Sequence, residues 1–195
     1  MEGIDYELIT CSLVPGHRRA GARLGNLNLV LPSSRIRDFV WTYMSECVIT
    51  DRVLGLFKDR HFTGFSAREA SIVRVAGSDV KASVLTVWEL QIDGRGGDAH
   101  PESGIRILYV CPQCRYTAYS SFRKGIIIDE TKWDGTDFCT VNGYSKHIVI
   151  TERVKNLIVE NNLTNCAIFR SEDLRWGSFP KPEERPEYSV ANQPR

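Results

Sequence analysis

The chain has 195 residues and a formal net charge of +1, with 25 Lys and Arg against 24 Asp and Glu. A net charge this close to zero gives no overall attraction to phosphate backbones or anionic lipids, which argues against a dedicated nucleic-acid or membrane-surface binder. Hydrophobic residues make up 42% of the chain and aromatic residues 10%, a composition that is typical of a globular fold and excludes bulk disorder.

The N-terminal residues and the cysteine content indicate the cellular compartment of the protein. Glu2 and Asp5 precede any apolar run, so the N-terminal residues predict no secretory signal, and no apolar stretch approaches the length of a membrane span. Six cysteines in such a chain favour a reducing environment, in which thiols are core residues, metal ligands or redox groups more often than disulfides. We therefore expect a cytoplasmic protein.

Two segments of the chain resemble each other without a gap. Before them, residues 6–11 and 26–31 predict short strands, and the basic stretch 17–23 predicts a solvated turn. Residues 48–64 (VITDRVLGLFKDRHFTG) and 149–165 (VITERVKNLIVENNLTN) then share seven of seventeen positions, and Asp-Phe lies upstream of both, at 38–39 and 137–138. This pattern indicates internal repeats over about residues 38–75 and 137–174.

Each repeat predicts a strand, a helix and a second strand. Thr50 and Thr151 end apolar runs and are residue types that cap helix N-termini. The apolar side chains that follow recur at helical spacing and predict one buried stripe per helix: Val53, Leu56 and Phe57, then Val154, Leu157 and Ile158. We expect left-handed helix ends at Gly64 and Asn165. The second strands are predicted at residues 71–75 and 166–170.

The rest of the chain completes the predicted fold class. Residues 82–92, 105–110 and 125–129 between the repeats predict further strands. The Pro-rich residues 175–195 predict an extended tail. The sequence thus predicts a single α+β domain over residues 1–174, with a mostly antiparallel sheet and two similar strand-helix-strand units.

A Cys-Pro-Gln-Cys motif, Cys111 to Cys114, follows the predicted strand 105–110 and has the form of a zinc knuckle, in which two thiolates of a tight turn bind one tetrahedral ion. Two more ligands would be needed, and none has a diagnostic spacing; the candidates are Cys11, His17, Cys47, His100, Cys139, His147 and Cys166. A metal-free pair of reduced thiols is the alternative. A thioredoxin-like redox centre is disfavoured, because residues 115–122 show no helical pattern.

Two further observations concern activity and partners. The sequence has no Gly-x-Ser-x-Gly, His-Glu-x-x-His or phosphate-binding glycine loop, and we expect no enzyme. The loop that carries Asp93, Asp98 and Glu102 is acidic and rich in glycine. Such a loop is either simply solvated or a mobile negative surface for a basic partner.

The C-terminal half, from about residue 109 to 174, resembles the double-CXXCG-motif family and related bacterial immunity proteins. The resemblance lies in Cys111-Pro-Gln-Cys114, Asp137-Phe138, the segment 148–154 (IVITERV) and Leu163-Thr-Asn165. This chain has one Cys-x-x-Cys pair, which is followed by Arg115 instead of glycine. The resemblance implies a cytoplasmic protein that binds and neutralises a cognate toxin without catalysis. A zinc-knuckle scaffold or regulatory protein is the alternative.

Overall fold

A computed structural model describes residues 6–14, 16–33, 35–43, 45–76 and 86–185. These ranges contain two α-helices, α1 (Asp51–Asp59) and α2 (Glu152–Glu160). The strands are β1 (Tyr6–Thr10), β2 (Arg18–Arg23), β3 (Asn28–Leu31), β4 (Phe39–Trp41), β5 (Cys47–Thr50), β6 (Phe65–Val75), β7 (Val87–Ile92), β8 (Ile107–Val110), β9 (Thr117–Tyr119), β10 (Phe138–Cys139) and β11 (Val149–Ile150). Neither helix in this part of the chain has the length or the apolar composition needed to cross a lipid bilayer.

Within the described ranges, the largest sheet has five strands in the order β3-β6-β7-β5-β4, and its only parallel pair is β3–β6. Three antiparallel pairs accompany it: β1–β2, β8–β9 and β10–β11. The predicted α+β class with a mostly antiparallel sheet is therefore confirmed. Helix α1 packs on one face of the large sheet with Val53, Leu54 and Phe57 buried, and the predicted Leu56 is half-buried against the same core.

Three predicted local structures differ from the observed ones. The basic stretch 17–23 is not a solvated turn, because its residues Arg18–Arg23 form β2 and pair with β1. Residues 125–129 form no strand: Ile126 is buried, and its N–H bonds to the Ser171 carbonyl instead of to a ladder. Residues 166–170 also form no strand. Residues 82–85 of the predicted strand 82–92 lie outside the described residues.

The two repeats fold alike from hairpin to helix. In each, an antiparallel hairpin leads directly into the helix, β4–β5 into α1 and β10–β11 into α2. Thr50 and Thr151 occupy the N-cap positions with nearly identical backbone angles, but neither hydroxyl bonds to the helix N-terminus. Thr151 Oγ1 donates instead to Asp137 Oδ1 at 2.8 Å. The capping position was predicted correctly, and the capping bond was not.

Both helices end earlier than predicted. Their last residues are Asp59 and Glu160, and the left-handed residues that follow are His61 (φ 52°) and Asn162 (φ 50°). A second left-handed position comes three residues later in each repeat, at Gly64 (φ 83°) and Asn165 (φ 66°). The predicted left-handed conformations are confirmed, but these two residues turn the chain after the helix and do not end it.

The repeats are joined by two reciprocal sets of hydrogen bonds, which we call clasps. In one clasp, Asp137 Oδ2 accepts from Thr63 N (3.1 Å) and Oγ1 (3.3 Å), and Thr63 Oγ1 accepts from Asp137 N. In the other, Asp38 Oδ2 accepts from Thr164 N and Oγ1, both at 2.8 Å, and Thr164 Oγ1 accepts from Asp38 N. Each repeat therefore supplies the carboxylate of one clasp and the threonine of the other.

An arginine at the start of each helix reinforces its clasp. Arg52 donates to Asp38 Oδ1 (2.9 Å) and to the Asn161 carbonyl (3.0 Å), the residue that follows α2. Arg153 lies 3.3 Å from Asp137 Oδ1 and donates to the carbonyl of Arg60, the residue that follows α1. The arginines thus occupy carbonyl groups at the ends of the opposite helices, which would otherwise lack partners.

Apolar side chains of both repeats share one core. The Phe57 ring of α1 lies between those of Phe39, Phe65 and Phe138, with centroid separations of 5.1–6.4 Å. Val154, Leu157 and Ile158 of α2 are buried in the same cluster, as predicted for their stripe. Two repeats that pack on a common core need each other to bury their apolar faces.

A separate core holds the C-terminal segment. Trp176 packs edge-on against Phe122 with centroids 5.6 Å apart, and the Ser121 N–H donates to Glu183 Oε2 at 2.7 Å. Glu183 lies in a short 3₁₀ turn, Pro182–Glu184. The predicted tail is therefore docked onto the domain as far as it is described, up to Arg185.

Candidate metal centre

Two hairpins bring four potential metal ligands together. Cys11 directly follows β1 and His17 directly precedes β2, so both lie in the turn of the first hairpin. Cys111 directly follows β8, and Cys114 lies in the turn before β9. The ligand pairs are about a hundred residues apart in sequence, and each is presented by the end of an antiparallel strand pair.

Backbone hydrogen bonds close both turns and fix the ligand positions. In the first turn, Cys11 N donates to the His17 carbonyl at 3.1 Å and His17 N donates to the Val14 carbonyl at 2.9 Å. In the second turn, Cys111 N donates to the Tyr116 carbonyl at 2.8 Å, and Arg115 N donates back to the Cys111 carbonyl at 3.0 Å. The ligand atoms are therefore held by the fold and do not depend on the metal alone.

The four ligand atoms of Cys11, His17, Cys111 and Cys114 lie within 4.8 Å of one another and can hold a metal ion. The Sγ atoms of Cys11 and Cys111 are 3.9 Å apart, and Cys114 Sγ is 3.7 Å from His17 Nδ1. An ion bound tetrahedrally at 2.3 Å from sulfur separates its ligand atoms by roughly 3.8 Å. The Cys11–Cys111 and Cys114–His17 separations are close to this value.

The environment of the cluster favours the thiolate of one of its cysteines. Cys111 is fully buried, and the backbone N–H groups of Cys114 and Gln113 lower the pKa of its thiol to about 6, against the effect of its burial. For Cys114, the N–H of Tyr116 favours the thiolate, but burial and the neighbouring Cys111 and Cys11 raise the pKa of this thiol. The turn thus stabilises the thiolate of Cys111, and a bound cation would offset the effect of the neighbouring thiols that raises the pKa of Cys114.

Aromatic rings and one unusual backbone position surround the ligands. The imidazole of His17 stacks on Tyr116 at a centroid distance of 4.5 Å and lies 5.7 Å from the ring of Tyr109. Arg115 is exposed and has a φ of 60°, in the left-handed region. The glycine of a Cys-x-x-Cys-Gly motif would adopt this angle without strain, whereas Arg115 adopts it at a cost of roughly 1–2 kcal/mol.

The other candidate ligands do not join the cluster. Cys47 and Cys139 are buried in apolar surroundings that raise the pKa values of their thiols to about 12 and about 11, and Cys166 also lies away from the four ligands. His100 caps the 3₁₀ turn Pro101–Ser103 by accepting from Glu102 N, and burial lowers the pKa of His147. All six cysteines are free thiols, and the Cys111 turn opens a strand instead of the helix that a thioredoxin-like centre requires.

The acidic residues predicted to bind a partner lie elsewhere, in the connection between β7 and β8. Asp93, Asp98 and Glu102 are all exposed, and Asp98 Oδ1 accepts a hydrogen bond from Asn142 Nδ2 at 2.8 Å. Backbone bonds tie the neighbouring Gly94 and Gly96 to residues after β10, so this part of the loop is anchored. Binding of a partner by these three acids stays a prediction.

In comparisons with known proteins, the sequence matches no protein-family model and no curated protein sequence.

The sequence alone left seven residues as candidates for the two ligands beyond Cys111 and Cys114, and Cys11 and His17 were two of the seven. A usable signal was present, because Cys11 ends a strand just as Cys111 does. The basic stretch after His17 concealed it, since arginines and glycine suggested a turn where β2 begins.

Proposed function

We propose that this chain binds one zinc ion through Cys11, His17, Cys111 and Cys114, and that the resulting fold neutralises a cognate toxin by binding and occluding it. The four-ligand cluster carries the metal part of the proposal. Three thiols and one imidazole are the donor set of structural zinc sites, in which four protein ligands leave no open position for a substrate. The ion then staples the two hairpins.

The toxin-binding part is supported by the resemblance to immunity proteins together with the positions of the residues that carry it. Cys111 and Cys114 are ligands in the cluster, and Asp137 and Phe138 join the two repeats through a clasp and the shared core. The resembling residues thus build the architecture of the chain. A function that depends on a rigid, preformed surface agrees with this use of residues.

A metal-stapled scaffold or regulatory protein is the second candidate, and the cluster favours it equally. The two candidate functions differ in the partner. An immunity protein binds one toxin and protects a cell from it, whereas a scaffold protein gives no protection against a toxin. Occlusion also requires no reactive group, so protection should survive the loss of any single exposed acid or hydroxyl.

Two experiments test the proposal. Native mass spectrometry and elemental analysis of the purified full-length chain should find about one zinc per molecule, and a metal-free protein that is folded as well as the zinc-loaded one would contradict the zinc centre. Co-expression in bacteria with the products of the neighbouring genes should identify one toxin against which the chain restores growth and with which it co-purifies. Failure of the wild-type chain to do either contradicts the immunity function and leaves the scaffold.

A further inference from the structure

The charge of this chain is unevenly distributed, and the metal ligands lie in its basic part. No Asp or Glu occurs from residue 8 to 37 or from 103 to 128, and these two stretches together carry nine Arg and Lys. The rest of the chain carries sixteen Arg and Lys with all twenty-four acids. The net charge of +1 is therefore the average of a basic ligand-bearing region and an acidic remainder.

Three of these arginines are close in sequence to a ligand. Arg115 directly follows Cys114, and Arg18 and Arg19 are the first two residues of β2, directly after His17. A zinc ion with three thiolates and a neutral imidazole has a charge of −1, so the two stretches keep a positive formal charge when the ion is bound. Acids of other segments, Glu183 at Ser121 and Asp98 near Tyr119, lie against the second stretch, whereas Arg115 is exposed and can attract an acidic surface.

The turns that hold the ligands also expose apolar area. Leu13 is 60% exposed, Val110 40% and Tyr116 38%, and all three are at most three residues from a cysteine ligand. Together with Arg115 we call these residues the knuckle tip. Tyr and Arg are among the residue types enriched at the energetic centres of protein interfaces, and Leu13 and Val110 add exposed apolar area.

Arg115 adds an observation of its own. Its side chain is exposed, and its φ of 60° is strained for any residue except glycine and, to a lesser degree, Asn or Asp. Strained backbone positions are enriched at functional sites, and Ser45, His61, Asn162 and Asn165 also have positive φ in this chain. Because the N–H of Arg115 already closes the turn, a glycine would serve the fold at lower cost, which makes the exposed guanidinium group the candidate for a further role.

We propose that the knuckle tip is a docking surface for an acidic protein surface, and that Arg115 is its anchor. The inference rests on the proposed function, in which the docked protein is the toxin. The exposed aliphatic area decides between a protein and a nucleic acid, since Leu13 and Val110 gain from contact with apolar side chains and not from contact with phosphates. The knuckle tip would therefore select an acidic partner, whereas the loop of Asp93, Asp98 and Glu102 would select a basic one.

The test compares the binding of zinc-loaded, full-length variants to the toxin that the co-expression experiment identifies. Arg115→Gly removes the guanidinium and suits the backbone angle, and Arg115→Lys keeps the charge. Arg74→Thr is the matched control, since Arg74 is an exposed arginine on β6 of the large sheet. We expect Arg115→Gly to bind about tenfold more weakly with a smaller salt dependence, Arg115→Lys to keep most of the affinity, and Arg74→Thr to bind like the wild type. Wild-type affinity of Arg115→Gly overturns the inference.

A second arm separates this inference from the proposed function. If the wild-type chain binds no toxin, the same variants are applied to immobilised polyglutamate and to duplex DNA. Elution of the wild type from polyglutamate at higher salt than Arg115→Gly, with Arg74→Thr unchanged, supports the acidic-protein surface although the immunity function has failed. Equal elution of the wild type and Arg115→Gly overturns the surface, and tighter Arg115-dependent binding to DNA overturns the choice of a protein.

Discussion

Asp38 and Thr164, which are 126 residues apart, bond to each other in both directions: the carboxylate accepts from the N–H and hydroxyl of Thr164, and the threonine oxygen accepts from the N–H of Asp38. Asp137 and Thr63 repeat the arrangement across 74 residues. Neither repeat can complete a clasp alone. Each repeat therefore makes the same set of hydrogen bonds to the other, and the two repeats should unfold as one unit.

The first prediction concerns the carboxylate of Asp38. Burial of this group opposes ionisation, but hydrogen bonds from Thr164 and Arg52 outweigh it and lower the pKa of Asp38 below its ordinary 3.8. Its contribution to stability is thus present above about pH 4 and is lost as the pH falls through the lowered pKa. Asp38→Asn should reduce the free energy of unfolding by about 1–2 kcal/mol at pH 7 and by less at pH 3.

Urea unfolding at both pH values measures this difference. Glu130→Gln is the control, because Glu130 is an exposed acid away from both clasps, and it should change stability by less than about 0.5 kcal/mol. A loss in Asp38→Asn that is as large at pH 3 as at pH 7 would show that the charge of Asp38 is not what stabilises the clasp.

The second prediction uses the difference between Gly64 and its counterpart Asn165. A Cβ atom at Gly64 would overlap the Phe138 carbonyl oxygen, whereas Asn165 Nδ2 donates to the equivalent Phe39 carbonyl at 2.8 Å. Gly64→Ala should therefore cost more than about 2 kcal/mol, from the clash and the positive φ together. Asn165→Gly should cost about 1 kcal/mol, from the lost hydrogen bond.

Gly55 in α1 provides the matched control for the glycine substitution. It has helical backbone angles, and no atom lies within 4 Å of the position of an added Cβ. Gly55→Ala should stabilise the protein by about 0.5–1 kcal/mol, because alanine loses less backbone entropy in a helix. Thermal melts of the three variants rank them, and a destabilised Gly55→Ala beside a neutral Gly64→Ala would contradict the backbone argument.

Sequence patterns predicted the repeats well because their information is local. The periodic stripe of α2 and the identity of the threonines that precede both helices are visible in a single window of residues. The clasps were not predictable, since an aspartate such as Asp137 gives no sign of which distant threonine it will contact. The second strand of repeat two failed for a related reason: residues 166–170 have strand-like side chains, but whether another strand lies beside them depends on the whole fold.

Two of the four residues of the metal cluster were predicted from the sequence. Cys111 and Cys114 share a turn, so their spacing alone indicates a site, whereas Cys11 and His17 come from a hairpin about a hundred residues away. The residue that should have signalled a knuckle, the glycine after the second cysteine, is Arg115 here. An arginine in a left-handed turn is contrary to local preference, and such exceptions concentrate at functional surfaces.

The third prediction concerns one ligand that the sequence left open, His17, and one that it predicted, Cys114. His17→Ala and Cys114→Ser should each lower the zinc content below one per molecule and destabilise the fold by about 3 kcal/mol or more, because metal binding and folding are linked. Cys166→Ser is the control: its thiol lies outside the cluster and should leave the zinc content unchanged. Full zinc retention in His17→Ala would remove the histidine from the ligand set.

The last prediction concerns Ser121 and Glu183, which join the C-terminal segment to the domain. The hydroxyl and the N–H of Ser121 both donate to the carboxylate of Glu183, and these bonds lower the pKa of Glu183 although its partial burial opposes ionisation. Since the serine is buried and bonded in this way, its role is to hold the tail.

Ser121→Ala and Glu183→Gln should each lower the free energy of unfolding by about 1–2 kcal/mol and increase proteolysis of residues 175–185. Protection against the toxin should persist at temperatures where the variants stay folded. Limited proteolysis and growth rescue measure the two effects. Loss of protection in a folded Ser121→Ala variant, with Glu183→Gln still protective, would instead make the hydroxyl a reactive group.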